Sequence, residues 1–514
     1  MAKTFTCTLD YPVVNTTHGK LRGFEEGGVI KFYGIKYADA KRWQMPVEVA
    51  DWEGVKEAYG YGYVCPMLNQ DVPGAGEMKV PHRYWPLDEN CQYLNVWTRS
   101  IEPGVKKPVM FWIHGGGYSA GSSIEQVAYD GANLATYGDV VVVSINHRLN
   151  ILGYMDVSAY GEEYYNSANV GNADMVMALK WVHDNIAAFG GDPENVTIFG
   201  QSGGGAKVCA LMQTPSADNY IHKAIMMSGV RDAEQDQANI DPKPIVEALL
   251  AETGCATVQE LAVLPYALLA EAYKKVSPEI AKAGNYVGGN GPVKNEWYAG
   301  IPTIYGWTEH GKNVPLMIGT VLDEFKGFAP SRPDRNTMTA EEARAMVEED
   351  YGEDTDEIIE LFQKNYPGKN LCDLMQIDTM FRPKSINLAR SKAEAGGTVY
   401  TYMFAYDFPL GTGNGPWHCS DIPFAFHNAE LVPVCNNPGI SEQLEHRYSS
   451  AYTNFAKYGN PNDPSLPAWP ATTPEKEACM VFDVDCEVRY NHDHEIIKLA
   501  MKHAGGPLKI KVEH

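Results

Sequence analysis

Apolar positions in the middle of this chain come in unbroken runs, separated by polar, glycine-containing stretches. Residues 108–113, 140–145, 196–199, 224–228, 314–320 and 398–404 are rich in Val, Ile, Met and Phe. Short runs of this kind read as strands buried on both faces, the habit of a parallel sheet. Between about 105 and 230 they alternate with helical patterns. Met175, Ala178, Leu179 and Val182, for example, fall at i, i+3, i+4 and i+7 and put one apolar stripe against a core. The alternation predicts an α/β fold, a mostly parallel central sheet covered by helices on both faces. The first hundred residues differ. Short β runs at 20–24 and 29–34, divided by turns, predict an antiparallel hairpin region ahead of the main sheet. Residues 231–310 and 331–395 interrupt the strand sequence with charged helical stretches such as 340–350. They are read as cap insertions over the strand ends. With no repeat and no low-complexity linker, residues 1–514 are expected to form one catalytic domain.

Candidate chemistry concentrates in 189–205, which reads FGGDPENVTIFGQSGGG. An apolar run ends in Gly200-Gln201-Ser202-Gly203-Gly204, and a helix-compatible stretch, 206–212, follows. Strand, sharp turn and helix are the context in which GxSxG becomes a nucleophile elbow, with the serine hydroxyl lifted out of the sheet. The flanking glycines leave room for a strained turn. Upstream, 108–113 runs into His114-Gly115-Gly116-Gly117-Tyr118. Such a glycine loop lets main-chain N–H groups surround the oxyanion of a tetrahedral intermediate. The expected donors are Gly116, Gly117 and Gly203. A serine needs a histidine base oriented by a carboxylate. Asp323 and Glu324 follow the run at 314–320, and His418 lies in the loop after 398–404. Spacing alone leaves Asp323 open beside Glu324, and His427 open beside His418.

These motifs resemble those of the type-B carboxylesterases, the family of the cholinesterases and the neuroligin-type adhesion proteins. The serine segment matches throughout. Residues 89–97 resemble the family's second signature, with Asn90 and Gln92 as departures. Asn146-His147-Arg148-Leu149, Asn169-Val170-Gly171 with Asp174, Met317-Ile318-Gly319-Thr320 with Asp323-Glu324, and 454–461 also match. The resemblance covers roughly residues 12 to 500. It implies the α/β-hydrolase fold, of the bacterial carboxylesterase type, and a Ser202, Glu324, His418 triad. Gln201 stands where cholinesterases carry glutamate, and their choline-binding tryptophan has no counterpart before Cys91, which disfavours choline esters. Gly203 replaces the usual alanine and Cys419 follows the histidine; both read as tolerable. Cys65 and Cys91 occupy positions that resemble a disulfide pair of secreted members.

Composition narrows the partners. The chain has 514 residues, 44% hydrophobic and 21% charged, with a formal net charge of −23. That sign disfavours nucleic acid and anionic membranes as partners. No apolar stretch approaches the ~20 residues that span a bilayer, and the start lacks the apolar run of a secretory signal. A cytoplasmic monomer or homodimer is expected, or a secreted one if a leader has been removed; in a reducing cytoplasm Cys65 and Cys91 are expected to stay thiols. The ten cysteines show no zinc-type spacing, so neither metal nor cofactor is expected. The partner is then a small-molecule ester. Tyr118, Phe325, Trp417 and Phe424, with Trp85, lie close in sequence to the catalytic candidates. An aromatic pocket built from them would suit uncharged short-chain, aryl or cinnamoyl-type esters. Amide, thioester or lactone hydrolysis would use the same machinery, and a non-catalytic neuroligin-like module is the alternative outside enzymes.

Overall fold

The computed structural model describes residues 4–68, 79 and 81–504, and the chain divides into two compact units. Unit one comprises Met1–Met226 and Arg231–Val314, and unit two Met227–Val230 and Pro315–His514.

In unit one the strands are β1 (Phe5–Thr6), β2 (Val13–Asn15), β3 (Lys20–Arg22), β4 (Phe24–Glu26), β5 (Val29–Lys36), β6 (Val55–Glu57), β7 (Tyr93–Thr98), β8 (Lys107–Ile113), β9 (Val141–Ile145), β10 (Gly191–Gln201) and β11 (Lys223–Met227). The main-sheet order is β1-β4-β5-β7-β9-β8-β10-β11. The pairs β8–β9 and β8–β10 are parallel, whereas β4–β5, β5–β7 and β7–β9 are antiparallel. Parallel strands therefore hold the centre and hairpin strands the N-terminal side, as the change of pattern near residue 105 predicts. One expectation needs correction. The run at 20–24 is not one strand: β3 joins a separate small sheet with β2 and β6, and β4 joins the main sheet. The break falls at Gly23, where an added Cβ would lie 2.3 Å from the Lys31 carbonyl oxygen.

β10 begins earlier than its apolar run at 196–199. Gly191 pairs with Lys107, and the register shifts before Val196 pairs with Val109. Such an irregularity lets polar residues extend a strand whose buried part starts later. The predicted helix is Val170–Asn185, and its Met175, Ala178, Leu179 and Val182 are all buried. Arg148 locks this helix down. Its guanidinium donates to both Asp174 carboxylate oxygens, at 2.8 and 2.7 Å, and Gln92 donates to the same carboxylate at 3.2 Å. Gln92, a departure from the family signature, thus joins a buried polar network. From 231–310, the helices Lys243–Thr253 and Tyr266–Lys282 pack Ile245, Val246, Leu249, Leu269 and Tyr273 around Trp43. Cys65 and Cys91 are unbonded and buried with Leu149 and Leu152.

Unit two carries β12 (Leu316–Val321), β13 (Val399–Phe404), β14 (Ala478–Phe482) and β15 (Glu487–Tyr490), in that order. β12, β13 and β14 run parallel, and β15 turns back against β14. Stretch 331–395 supplies Ala340–Tyr351, Thr355–Asn365 and Arg382–Glu394. The first starts on a Thr339–Glu342 capping box. Val347, Ile358 and Phe362 pack against Met403, Val481 and Ile496. No helix among the described residues is long and apolar enough to cross a membrane.

Candidate active site

In unit one, β10 delivers Ser202 to the start of the helix Gly203–Met212. Ser202 has φ 59° and ψ −126°, a conformation that costs a non-glycine residue of order 1–3 kcal/mol. It keeps partial exposure while Gly200, Gln201 and residues 203–206 are buried. Two glycines after it allow the glycine loop to lie directly on the helix start. A Cβ on Gly203 would stand 2.1 Å from the Gly117 carbonyl oxygen and 2.4 Å from its Cα. A Cβ on Gly204 would meet the Ile113 carbonyl oxygen at 2.1 Å. Gly203, which keeps its N–H in place, also leaves the space into which Gly117 fits. Gly116 and Gly117, at φ 82° and 62°, are exposed. Gly203 opens its helix, where N–H groups lack intrahelical acceptors. The structure thus brings Gly117 against Gly203, with Gly116 next to it in the loop.

Close by in unit one, a cleft of about 190 Å³ reaches Gly121 and Ser122, just past the glycine loop, and is walled by Val64, Tyr84, Trp85 and Leu87. Tyr118 is only 6% exposed. Its ring stands edge-on to Tyr154 at 5.0 Å, with the Arg231 guanidinium 5.4 Å from its centre.

In unit two, Glu324 sits three residues past β12, at φ 45° and ψ −127°. Its Oε2 lies 2.5 Å from His418 Nδ1, and its Oε1 accepts from the Val321 amide at 2.9 Å. The His418 amide in turn donates to the Glu324 carbonyl at 3.0 Å, so main chain and side chain both fix the pair. Asp323 and His427 are placed elsewhere. Asp323 lies against Gly415, where an added Cβ would touch its Oδ2, and His427 Nδ1 faces the Ser449 hydroxyl at 3.2 Å. The Phe325 ring covers His418 at 4.3 Å, and Phe381 stacks on it at 5.1 Å and 12°. Phe381 was not legible in the sequence, because nothing near residue 381 signals a histidine 37 positions on. Trp417 and Phe424 expose none of their surface and pack with Phe408, whereas Phe325 remains 36% exposed.

Burial works on both members of the pair. It pulls His418 down from its ordinary value to about 4, with the Asp421 and Asp378 charges opposing. It pushes Glu324 up to about 8, with the Ser228 hydroxyl and the Val321 amide opposing. Two groups sharing one short hydrogen bond titrate as a unit. If His418 serves as a general base, only its free imidazole can do so, and kcat/KM of the reaction it serves should rise with pH along a single acid limb. The sign follows because the base must be unprotonated before it can accept a proton. Its midpoint is expected between about 4 and about 8. A pH–rate profile with p-nitrophenyl acetate checks this; activity still flat below pH 4 contradicts it.

Among the described residues, one cluster has metal-ligand character, Glu477, Asp493 and His494. Arg382 already occupies it, donating to Glu477 at 2.9 Å and to Asp493 at 2.7 and 2.8 Å. These carboxylates serve a buried ion pair.

Residues 10–497 match the family model described as the carboxylesterase family. The chain is 30% identical over 500 residues to the para-nitrobenzyl esterase of Bacillus subtilis, covering 95% of this chain and 98% of that one. Among solved structures, an esterase from Clostridium hathewayi, described as able to hydrolyse aliphatic aromatic polyesters, aligns with a TM-score of 0.95 and 50% identity. That alignment covers 98% of this chain and 100% of the other. A carboxylesterase of Geobacillus stearothermophilus aligns at a TM-score of 0.73 and 30% identity, over 95% and 99% of the two chains. The expected α/β-hydrolase fold is the fold of these neighbours.

Proposed function

The chain belongs to the carboxylesterase family and is a carboxylic ester hydrolase, and from that premise we propose that it works through an acyl-enzyme on Ser202. In this reading His418, held by Glu324, takes the Ser202 proton as the hydroxyl attacks the ester carbonyl. The tetrahedral oxyanion is met by the N–H groups of Gly116, Gly117 and Gly203. The alcohol leaves with the proton from His418, and water then attacks the acyl-enzyme by the same steps. The observation that carries the reading is the His418–Glu324 pair, with its 2.5 Å bond to Nδ1, which leaves Nε2 as the basic nitrogen.

For substrate, we propose uncharged short-chain, aryl or cinnamoyl-type esters. Support comes from the partly exposed Phe325 beside His418 and from the Tyr84 and Trp85 cleft beyond the glycine loop. The para-nitrobenzyl and aliphatic aromatic polyester activities named for two relatives point the same way. A non-catalytic module is set aside, since the chain is an ester hydrolase. A ladder of acetate, butyrate, benzoate and cinnamate esters, set against long-chain acyl and choline esters, tests the class by kcat/KM. Aryl and short acyl esters are expected at the top. A clear preference for palmitate or choline esters defeats the reading.

A further inference from the structure

The helix that follows Ser202 carries one charged residue in an otherwise apolar interior, Lys207, and its side chain is fully buried. Burying an ammonium is costly unless it is bonded or paired. Among the described residues Lys207 forms no ion pair; Nζ donates to the carbonyl of His114, at 3.2 Å. That carbonyl belongs to the first residue of the glycine loop and also lies over the helix start, 3.0 Å from where a Cβ on Gly204 would be. Around the ammonium stand the Tyr118 ring, 5.7 Å away at its centre, and the partly buried Glu125, whose charge favours the ammonium. His114 stacks on His147 at 5.1 Å, and both are held neutral, chiefly by burial and then by the lysine's charge. Burial draws Lys207 itself down to about 7.

We propose that Lys207 is a positioning residue for ester hydrolysis, bolting the His114 carbonyl to the nucleophile helix so that the Gly116 and Gly117 amides hold their aim. This rests on the reading of those amides as oxyanion donors. Backbone contact already brings Gly117 onto Gly203, but glycines by themselves do not choose one loop conformation. A side chain reaching from the helix back to the loop's first carbonyl does. The cost of burying the lysine would then be offset in the transition state, where an aimed donor contributes and a displaced one does not.

The test uses Lys207→Met, which keeps the apolar stem as far as the Cε position and removes the donor, and Lys207→Gln, which is uncharged and whose polar end stops one bond short of where Nζ lies. Each is assayed with p-nitrophenyl acetate for kcat and KM, with a trifluoromethyl ketone inhibitor as a mimic of the tetrahedral intermediate, and for Tm. For whichever variant folds, kcat is expected to fall at least about tenfold with KM within about twofold, a part of the 10²–10³ that a lost donor costs. Affinity for the ketone should fall by the same factor as kcat. Wild-type kcat in either folded variant overturns the proposal, as does a parallel rise in KM or unchanged affinity for the ketone. Failure of the parent reading looks different, because then Ser202→Ala would leave wild-type turnover intact.

Discussion

Ser202→Ala is expected to lower kcat for p-nitrophenyl acetate by on the order of 10⁴–10⁶, with KM nearly unchanged. In the proposed mechanism the magnitude follows from losing the covalent route altogether: without the hydroxyl, His418 would have no proton to take and no acyl-enzyme would form. What survives is the work of groups that need no nucleophile. An intact oxyanion site would still accelerate attack by water on the order of 10³–10⁴ over solution. Replacing Ser202, Glu324 and His418 together should therefore cost little more than replacing Ser202 alone, because in the proposed mechanism the three act as a unit. The substitution is quiet in structural terms. It removes one partly exposed oxygen and leaves the elbow glycines untouched, so Tm should move by no more than a few degrees. Turnover within tenfold of wild type in pure Ser202→Ala protein would remove Ser202 from the mechanism.

Much of this site was legible because it is local. A strand, a tight turn and a helix fall within 189–212, and the strand that precedes the glycine loop is a plain apolar run. Strand ends could be read to within a residue or two wherever the apolar run was clean, as at 399–404. They slipped where polar residues extend a strand through a register shift, as at Gly191. Contacts between distant segments were not legible. Spacing could not separate Glu324 from Asp323, because the distinction lies in which carboxyl the chain turns toward residue 418 after the strained Glu324 backbone. Nor could it tell an aromatic pocket from an aromatic core. Phe325 and Phe424 look alike in sequence, yet one stays at the surface beside His418 and the other is enclosed by Phe404 and Phe408. Lys207 did leave a signal, a lone charge in an apolar helical stretch, which became interpretable only once the His114 carbonyl was seen above it.

The most revealing single substitution is Gly203→Ala. On propensity alone it should help, since alanine in a helix is favoured over glycine by about 1 kcal/mol. The local geometry reverses that. The new Cβ would occupy the position 2.1 Å from the Gly117 carbonyl oxygen and 2.4 Å from its Cα, and backbone at such distances must move. The loop has little freedom to yield in place. Tyr118, next along, is anchored by its carbonyl accepting from the Asn150 amide at 2.7 Å, and Gly116 closes a turn with Ala120 at 2.9 Å. The displacement therefore falls on Gly117, and with it on the N–H proposed to meet the oxyanion. Loss of one such donor is worth about 10²–10³ in kcat. Gly203→Ala should accordingly lower kcat by about that factor while leaving KM and the pH midpoint of the His418–Glu324 pair in place, because neither group of that pair contacts the loop backbone through residue 203's side chain. Steady-state kinetics across pH, with a melting curve to show that the fold persists, settles the matter. Full activity in Gly203→Ala would mean that the glycine loop accommodates a methyl group without loss of aim, and that the donors act from a looser arrangement than packed backbone.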